Sequence, residues 1–293
     1  MSARRVAALD IGGTTLKYCL FEDGVPTQSS ECATEALLGG AHVMERALAV
    51  LGALAPFDAI GVSTAGQVDP VCGVIRYANE NIPGYTGTDV RGILSRRFGV
   101  PVAVVNDVYA AALGEGAYGG ARGQTDFLCI TYGTGIGGGV VLGGKPYYGA
   151  GASAGVMLGG IITHPEELRA GDPFAGTYER HASATALVAR ARRMDSRLDS
   201  GRAIFSQLAH PEVKTVVNAW LDEVASGLCT LIHTYNVPCI LLGGGVMEQS
   251  YALNGARERT LARIIPGFSG VSISGATLGN MAGLYGAFSQ VQR

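Results

Sequence analysis

Three things are missing from this chain, and each closes a class of function. There is no run of basic residues, and the formal net charge is −2. A nucleic-acid surface binds by displacing counterions with clustered Lys and Arg, so no nucleic-acid partner is expected. There is no apolar run near the roughly 20 residues that cross a bilayer, so no membrane partner is expected either. The six cysteines, Cys19, Cys32, Cys72, Cys129, Cys229 and Cys239, contain no CxxC pair. Several fall in apolar runs and read as reduced core thiols of a cytoplasmic protein. A strand-like run begins within a few residues of Met1, so no signal peptide is expected. His164, His181, His210 and His233 are scattered without metal-ligand spacing and read as surface or hydrogen-bonded side chains.

What the chain has in quantity is glycine: 44 residues of 293, gathered in short turns, within a sequence that is 47% hydrophobic. That length and apolar content suit two lobes with a large core. The first glycine turn is the most informative. Val6-Ala7-Ala8-Leu9 is an apolar run that ends in Asp10. Gly12, Gly13, Thr14 and Thr15 follow, then Lys17 and a second strand-like run, 18–21. Glycines without Cβ atoms let backbone N–H groups approach a ligand closely. The threonines add hydroxyl donors, and Asp10 offers the carboxylate oxygen that a hard cation such as magnesium prefers. A plain hairpin with a glycine turn would look the same in isolation.

Strands are expected at 4–10, 16–21 and 26–32, and an amphipathic helix at 36–53, with Leu37, Val43, Ala47 and Leu51 on one side. A buried strand, 59–63, opens into a polar loop that holds Gly66 and Gln67. A second loop, 77–85, is rich in amides and includes Asn81. A helix over 89–98 is begun by Thr88 or Asp89. The strand 102–105 ends in Asn106-Asp107, and a helix follows over 108–118. Strand, polar pair, helix is how α/β proteins place ligands, at the carboxyl ends of strands.

The second half opens with a strand at 127–131, a glycine segment 133–139, and a strand at 140–142. Gly133, Gly135 and Gly138 satisfy GxGxxG, but a dinucleotide fold needs a helix next, and a β-type run follows. Gly139 to Lys145 satisfies GxxxxGK, but Pro146 stands where Ser or Thr should bind magnesium. The turn after Asp10 and the turn after Thr131 both lie between consecutive strands, 121 positions apart. This self-similarity suggests two related lobes, each offering one glycine hairpin to a shared cleft. Glu179 is expected just before a helix that runs to about Met194. Another spans 213–235, where Trp220 reads as a packing residue. A strand from Cys239 then breaks into Gly243-Gly244-Gly245, which is either a shelf for a flat ring or a simple strand-to-helix turn. A last strand, 271–274, and a closing helix rich in small residues complete the chain.

Together these segments resemble the ROK family of bacterial sugar kinases and related repressors, within the sugar-kinase and actin-like ATPase superfamily. Asp10-Ile-Gly-Gly-Thr-Thr resembles the first phosphate motif and Gly133-Thr-Gly-Ile-Gly-Gly-Gly the second. Leu242-Gly-Gly-Gly resembles the adenosine motif, and Asn106-Asp107 with the run to Glu115 the catalytic segment. The resemblance implies an α/β, two-lobed actin-like ATPase (ribonuclease H-like) fold with an interlobe cleft. The N-terminal lobe would take 1–115, with a closing helix, 279–293, packed back on it; the C-terminal lobe would take 116–278. It implies ATP- and magnesium-dependent phosphorylation of a hexose hydroxyl, by family habit O6. Asp107 would act as base. Gly66, Gln67, Asn81, Asn106, Asp107 and Glu179 would hold the sugar. Asp10, Gly12, Gly13, Thr14, Thr15, Lys17, Thr134, Gly135 and Gly243–Gly245 would hold the nucleotide, with magnesium at Asp10. Asp107 also stands where a helix cap would. A homodimer is expected.

The departures from the family pattern concern the sugar site. Where the family carries Ala-Gly-Glu-x-Gly-His, this chain has Ala154-Gly-Val156-Met-Leu-Gly159. The zinc cysteines of the family have no counterpart before Glu179, so no structural zinc site is expected. A pocket without that Glu and His suits a sugar bearing a larger or less polar group. The alternative from another class is a sugar-binding regulatory protein with little turnover. With Asp10 so near the first residue, the repressors' helix-turn-helix domain is not expected, nor is direct DNA binding.

Overall fold

The structure, a computed structural model, describes residues 4–150 and 155–292. Ala154, the first residue of the departing sugar segment, and Arg293, the end of the expected closing helix, lie outside them. The strands are β1 (Arg5–Ile11), β2 (Thr15–Glu22), β3 (Val25–Ala33), β4 (Ala59–Thr64), β5 (Gln67–Val68), β6 (Ile75–Tyr77), β7 (Val102–Asn106), β8 (Phe127–Tyr132), β9 (Ile136–Leu142), β10 (Lys145–Pro146), β11 (Cys239–Gly243) and β12 (Ser272–Gly275). The helices are α1 (Gly40–Leu54), α2 (Val90–Phe98), α3 (Asp107–Tyr118), α4 (Tyr178–Ala182), α5 (Ala184–Met194), α6 (Gly201–Ser206), α7 (Pro211–Tyr235), α8 (Ser250–Leu261) and α9 (Ala282–Gln290).

Two five-stranded sheets share one topology. The first has the order β3-β2-β1-β4-β7, the second β10-β9-β8-β11-β12. In each, an antiparallel hairpin precedes two parallel strands. The Asp10 turn joins β1 to β2, and the Gly133 turn joins β8 to β9. The internal similarity of the sequence is thus a similarity of topology, with the two glycine turns at equivalent points. The described chain divides into two compact units: Met1–Gly123 with Gly139–Val156 and Asn280–Arg293, and Gln124–Gly138 with Met157–Gly279.

In the first unit, β1 alternates as a strand covered on both faces must. Ala7, Leu9 and Ile11 pack with Val43, Ala47 and Leu51 of α1. Val6 and Ala8 pack with Leu284, Ala287 and Phe288 of α9. Phe21 stacks on Phe288 with ring centroids 4.3 Å apart. Small residues on α9 admit α3 at backbone distance: a Cβ on Gly286 would lie 1.8 Å from Ala110 O, and one on Gly114 2.4 Å from Ala282 O.

In the second unit, α7 carries the core. Tyr178 lies against Gly227, where a Cβ would fall 2.2 Å from its ring. Tyr178 OH donates to Val224 O at 2.8 Å and meets Tyr132 OH at 2.7 Å. Trp220 packs as expected and also donates Nε1–H to Ala182 O and Ser183 O, at 2.9 and 3.1 Å. It therefore fixes the corner between α4 and α5. No helix among the described residues is long and apolar enough to cross a membrane.

Three expectations are corrected. The helix expected from 36 begins at Gly40. Residues Ala36–Leu38 form a separate 3-10 turn, stopped by Gly39 at φ 96°, and Leu37 is 81% exposed. The single helix expected after Glu179, to about Met194, is two helices with Glu179 inside the first, because Ser183 leaves α4 and caps α5 by accepting from Ala186 N. Gly137–Gly139 are not turn residues; they lie inside β9. A Cβ on Gly139 would meet Ala112 Cβ at 2.5 Å, and one on Gly138 would meet Cys129 O at 2.9 Å. Those glycines answer to close packing rather than to a ligand.

Candidate active site

The first unit gathers the candidate base and much of the candidate sugar loop. Strand β7 ends in Asn106, whose side-chain oxygen accepts from Val108 N and Tyr109 N and so caps α3. The amide end of Asn106 donates to Gly66 O and to Asp107 Oδ1, both at 2.8 Å. Val108 N also donates to Asp107 Oδ1, at 2.9 Å. Capping therefore falls to Asn106, and Asp107 is the first residue of the helix. The α3 N-terminus is the positive end of a helix dipole and favours a carboxylate. Burial nonetheless pushes the Asp107 carboxyl up to about 6, with the nearby charge of Asp10 adding to the rise. A carboxyl so placed accepts a proton near neutral pH.

A cavity of about 270 Å³ is lined by Gly13, Gly66, Gln67, Asn81 and Asn106, together with Tyr77, Asn79 and Ile82. Most of the groups expected on the sugar thus share one concave surface with one glycine of the first turn. The loops that shape it are braced. Asp69 accepts from Cys72 N, from the Arg76 guanidinium and from Val71 N, and these hydrogen bonds, that from Cys72 N foremost, hold its carboxyl below the usual range. Thr64 Oγ1 and Tyr85 OH bond at 2.9 Å.

Asp10 ends β1 beside Ser63 of β4, its partner in the parallel register. Ser63 Oγ donates to Asp10 Oδ1 at 2.6 Å. Burial raises the Asp10 carboxyl, against the hydrogen bond from Ser63 and the charge of Lys17. Gly283 backs it: a Cβ there would sit 2.8 Å from the Asp10 carboxyl. Lys17 reaches Asn280 O at 3.5 Å. In the turn itself, Gly12 N donates to Thr15 O at 3.0 Å, while Gly13 and Thr14 are exposed.

The second unit holds the remaining candidates. The turn after β8 closes by Gly133 N donating to Gly135 O at 3.0 Å, with Thr134 exposed at its tip. Glu179 of α4 lies against this turn: its Oε2 accepts from Ile136 N at 3.3 Å, and a Cβ on Gly135 would fall 2.7 Å from it. Thr134 and Glu179 line one cavity of about 360 Å³. Of the three glycines after β11, Gly244 is forced by the fold, with φ 95° and a Cβ position 2.2 Å from Tyr132 O; Gly245 stands in open space.

The ROK family profile matches residues 6–293. The chain belongs to the ROK family. A beta-glucoside kinase of Klebsiella pneumoniae is 30% identical over 304 residues, covering 99% of this chain and 97% of that one. A ROK hexokinase from Thermus thermophilus superposes with a TM-score of 0.82 at 31% identity, covering 98% and 99% of the two chains. A ROK glucokinase from Streptomyces griseus, solved with glucose and AMPPNP, gives 0.81 at 26% identity over 98% of each chain. The fold is thus the α/β actin-like fold of the ROK kinases.

Within this ROK chain the two departures are unlike each other. A Cβ on Gly159 would lie 2.2 Å from Ile136 O, so that backbone position has no room for an imidazole. Val156 is half-buried, and its N–H donates to Tyr109 OH at 3.2 Å. The fold also brings together what the sequence scatters. His164 and His181 stack with ring centroids 3.7 Å apart, and Glu167 Oε2 lies 2.9 Å from His181 Nε2. Sequence spacing carries no sign of this, because a loop and a helix supply the two rings. Ser63 was equally absent from the sequence reading, although the shared register with Asp10 is the signal that marks it. Asn79, in the same amide-rich loop as Asn81, lines the cavity beside it.

Proposed function

We propose that this chain is an ATP-dependent carbohydrate kinase that transfers the γ-phosphate of ATP to a hexose hydroxyl, O6 by preference, with Asp107 as general base. One observation carries the reading. The carboxyl of Asp107 is held by Asn106, a residue that also lines the cavity of Gly66, Gln67 and Asn81. Its affinity for a proton is raised to the range a base needs at neutral pH.

The sugar hydroxyl gives its proton to Asp107 as its oxygen bonds to the γ-phosphorus, and the bond from that phosphorus to the β-phosphate bridging oxygen breaks, releasing ADP. The transition state needs alignment and charge stabilisation more than covalent help. Asn106, Gly66, Gln67 and Asn81 orient the sugar, and Glu179 contributes a further hydrogen-bond acceptor. Gly12, Gly13, Thr14, Thr15, Lys17, Thr134 and Gly135 take the phosphate oxygens, and Gly243–Gly245 the adenine side. Asp10 with Ser63 presents hard oxygen donors in a region where two carboxylates are held close, and such a set fits magnesium. When bound there, the ion would draw charge from the phosphate oxygens. A homodimer is the expected assembly, read by light scattering.

Val156 in place of the family's carboxylate removes a hydroxyl partner from the sugar site. The preferred substrate is accordingly a hexose carrying a larger or less polar substituent, such as a β-glucoside. ATP consumption measured against hexoses, amino sugars and β-glucosides tests the assignment, with product NMR locating the phosphate. Sugar-dependent ADP release with phosphate on O6 supports it. Tight sugar binding without turnover for any sugar defeats it in favour of a regulatory protein.

A further inference from the structure

We infer that His164, Glu167 and His181 form a site for one divalent transition-metal ion of the zinc class, separate from the nucleotide and sugar residues. Each offers one ligand atom, and these atoms lie within 4.8 Å of one another. Two imidazoles and one carboxylate make the borderline donor set that zinc favours; magnesium and calcium prefer all-oxygen sets. The imidazoles are 25% and 15% exposed, and Glu167 is the outermost ligand at 48%.

The main chain builds this arrangement in advance. Thr163 N and His164 N both donate to Gly176 O, at 2.9 and 3.0 Å, and Tyr178 N donates to Ile161 O at 2.8 Å. Gly176 has φ 68°, and a Cβ there would lie 2.1 Å from His164 O. The loop can therefore reach α4 closely enough to stack the two rings only because residue 176 is glycine. Metal-binding histidines usually hold their second ring nitrogen on a carboxylate. His164 has one at each nitrogen: Glu166 at 3.1 Å from Nδ1, and Glu223 at 2.9 Å from Nε2. Whichever nitrogen coordinates, the other keeps a partner. Glu223 is itself fixed by Arg190 at 2.9 Å.

Glu166, Glu167 and Glu223 surround two imidazoles, with the Arg190 guanidinium on Glu223. A cavity of about 390 Å³ reaches His181 and Glu167; Asp172 and the guanidiniums of Arg169, Arg180 and Arg193 also line it. Three protein ligands leave a fourth position for water. Occupancy would tie the 164–167 turn to α4, two residues from Glu179.

The test uses the full-length protein, stripped with a chelator and titrated with zinc against a chromophoric competitor. About one ion per chain is expected. Glu167→Gln should weaken binding at least about tenfold, and His181→Ala should abolish it. Zinc should raise the melting temperature of the wild type and leave that of His181→Ala unmoved. Cobalt substitution should give the visible bands of a low-coordinate nitrogen and oxygen site. Glu167→Gln removes an exposed group, so its apo melting temperature should match the wild type and separate ligand loss from misfolding. No ion bound at micromolar free zinc, or unchanged stoichiometry and affinity in both variants, overturns the inference. None of these readouts depends on turnover, so the outcome is independent of the proposed kinase activity.

Discussion

Asn106 donates its side-chain amide to Asp107 Oδ1 at 2.8 Å while its side-chain oxygen caps the helix that Asp107 begins. One residue thus starts the helix and orients the candidate base. Asn106→Ala should lose about 1 kcal/mol of stability with the cap and lower kcat at least about tenfold through a misplaced carboxylate. Asn106→Ser keeps a capping oxygen but not the amide. It should recover most of the stability and little of the kcat. Urea unfolding and steady-state kinetics on both variants separate the two roles; full activity in Asn106→Ser would deny the orienting one.

Burial, with the charge of Asp10, places the Asp107 carboxyl at about 6. A base must be ionised to act. The logarithm of kcat/KM should therefore fall with unit slope as pH drops below about 6 and level off above it. A profile flat down to pH 4 would remove Asp107 from the role of base.

The same shift has a consequence for folding. The folded carboxyl binds its proton more tightly than the unfolded one, whose reference value is 3.8. Its contribution to stability is complete below 3.8 and is lost as pH rises through about 6. At pH 8 the fold carries the whole cost of a buried ionised carboxylate. Asp107→Asn removes that cost while still accepting from Asn106, so it should be more stable than wild type at pH 8 by up to about 3 kcal/mol. The difference should vanish near pH 3.5, as read by urea unfolding at both pH values.

Position 156 is where a sugar-binding carboxylate can be restored, since Gly159 faces the Ile136 carbonyl. Val156→Glu should lower KM for unsubstituted hexoses relative to β-glucosides, by about tenfold for one charge-assisted hydrogen bond. A substrate profile that does not move would break the link between Val156 and specificity.

Local chemistry decided which parts of this molecule were legible in its sequence. The two glycine hairpins were visible because each interrupts a pair of short apolar runs, and their equivalence was visible because the same pattern recurs. A cap was recognisable at Thr88 or Asp89, just before the helix, and it is Asp89 that accepts from Gly92 N at 2.7 Å. Tertiary packing hid the rest. Gly138 and Gly139 look like turn residues until the Cys129 carbonyl and Ala112 are seen against them. Ser63 reads as the polar end of a buried strand until the parallel register sets it beside Asp10. His164 and His181 are 17 positions apart and meet only because the loop returns to α4 through Gly176.

The most direct test of the central claim is sugar-dependent ADP release by the wild type and by Asp107→Asn, with sugar affinity measured in parallel. General-base removal should cost about 10²- to 10⁴-fold in kcat, with sugar affinity retained. Wild-type turnover in Asp107→Asn would contradict the account.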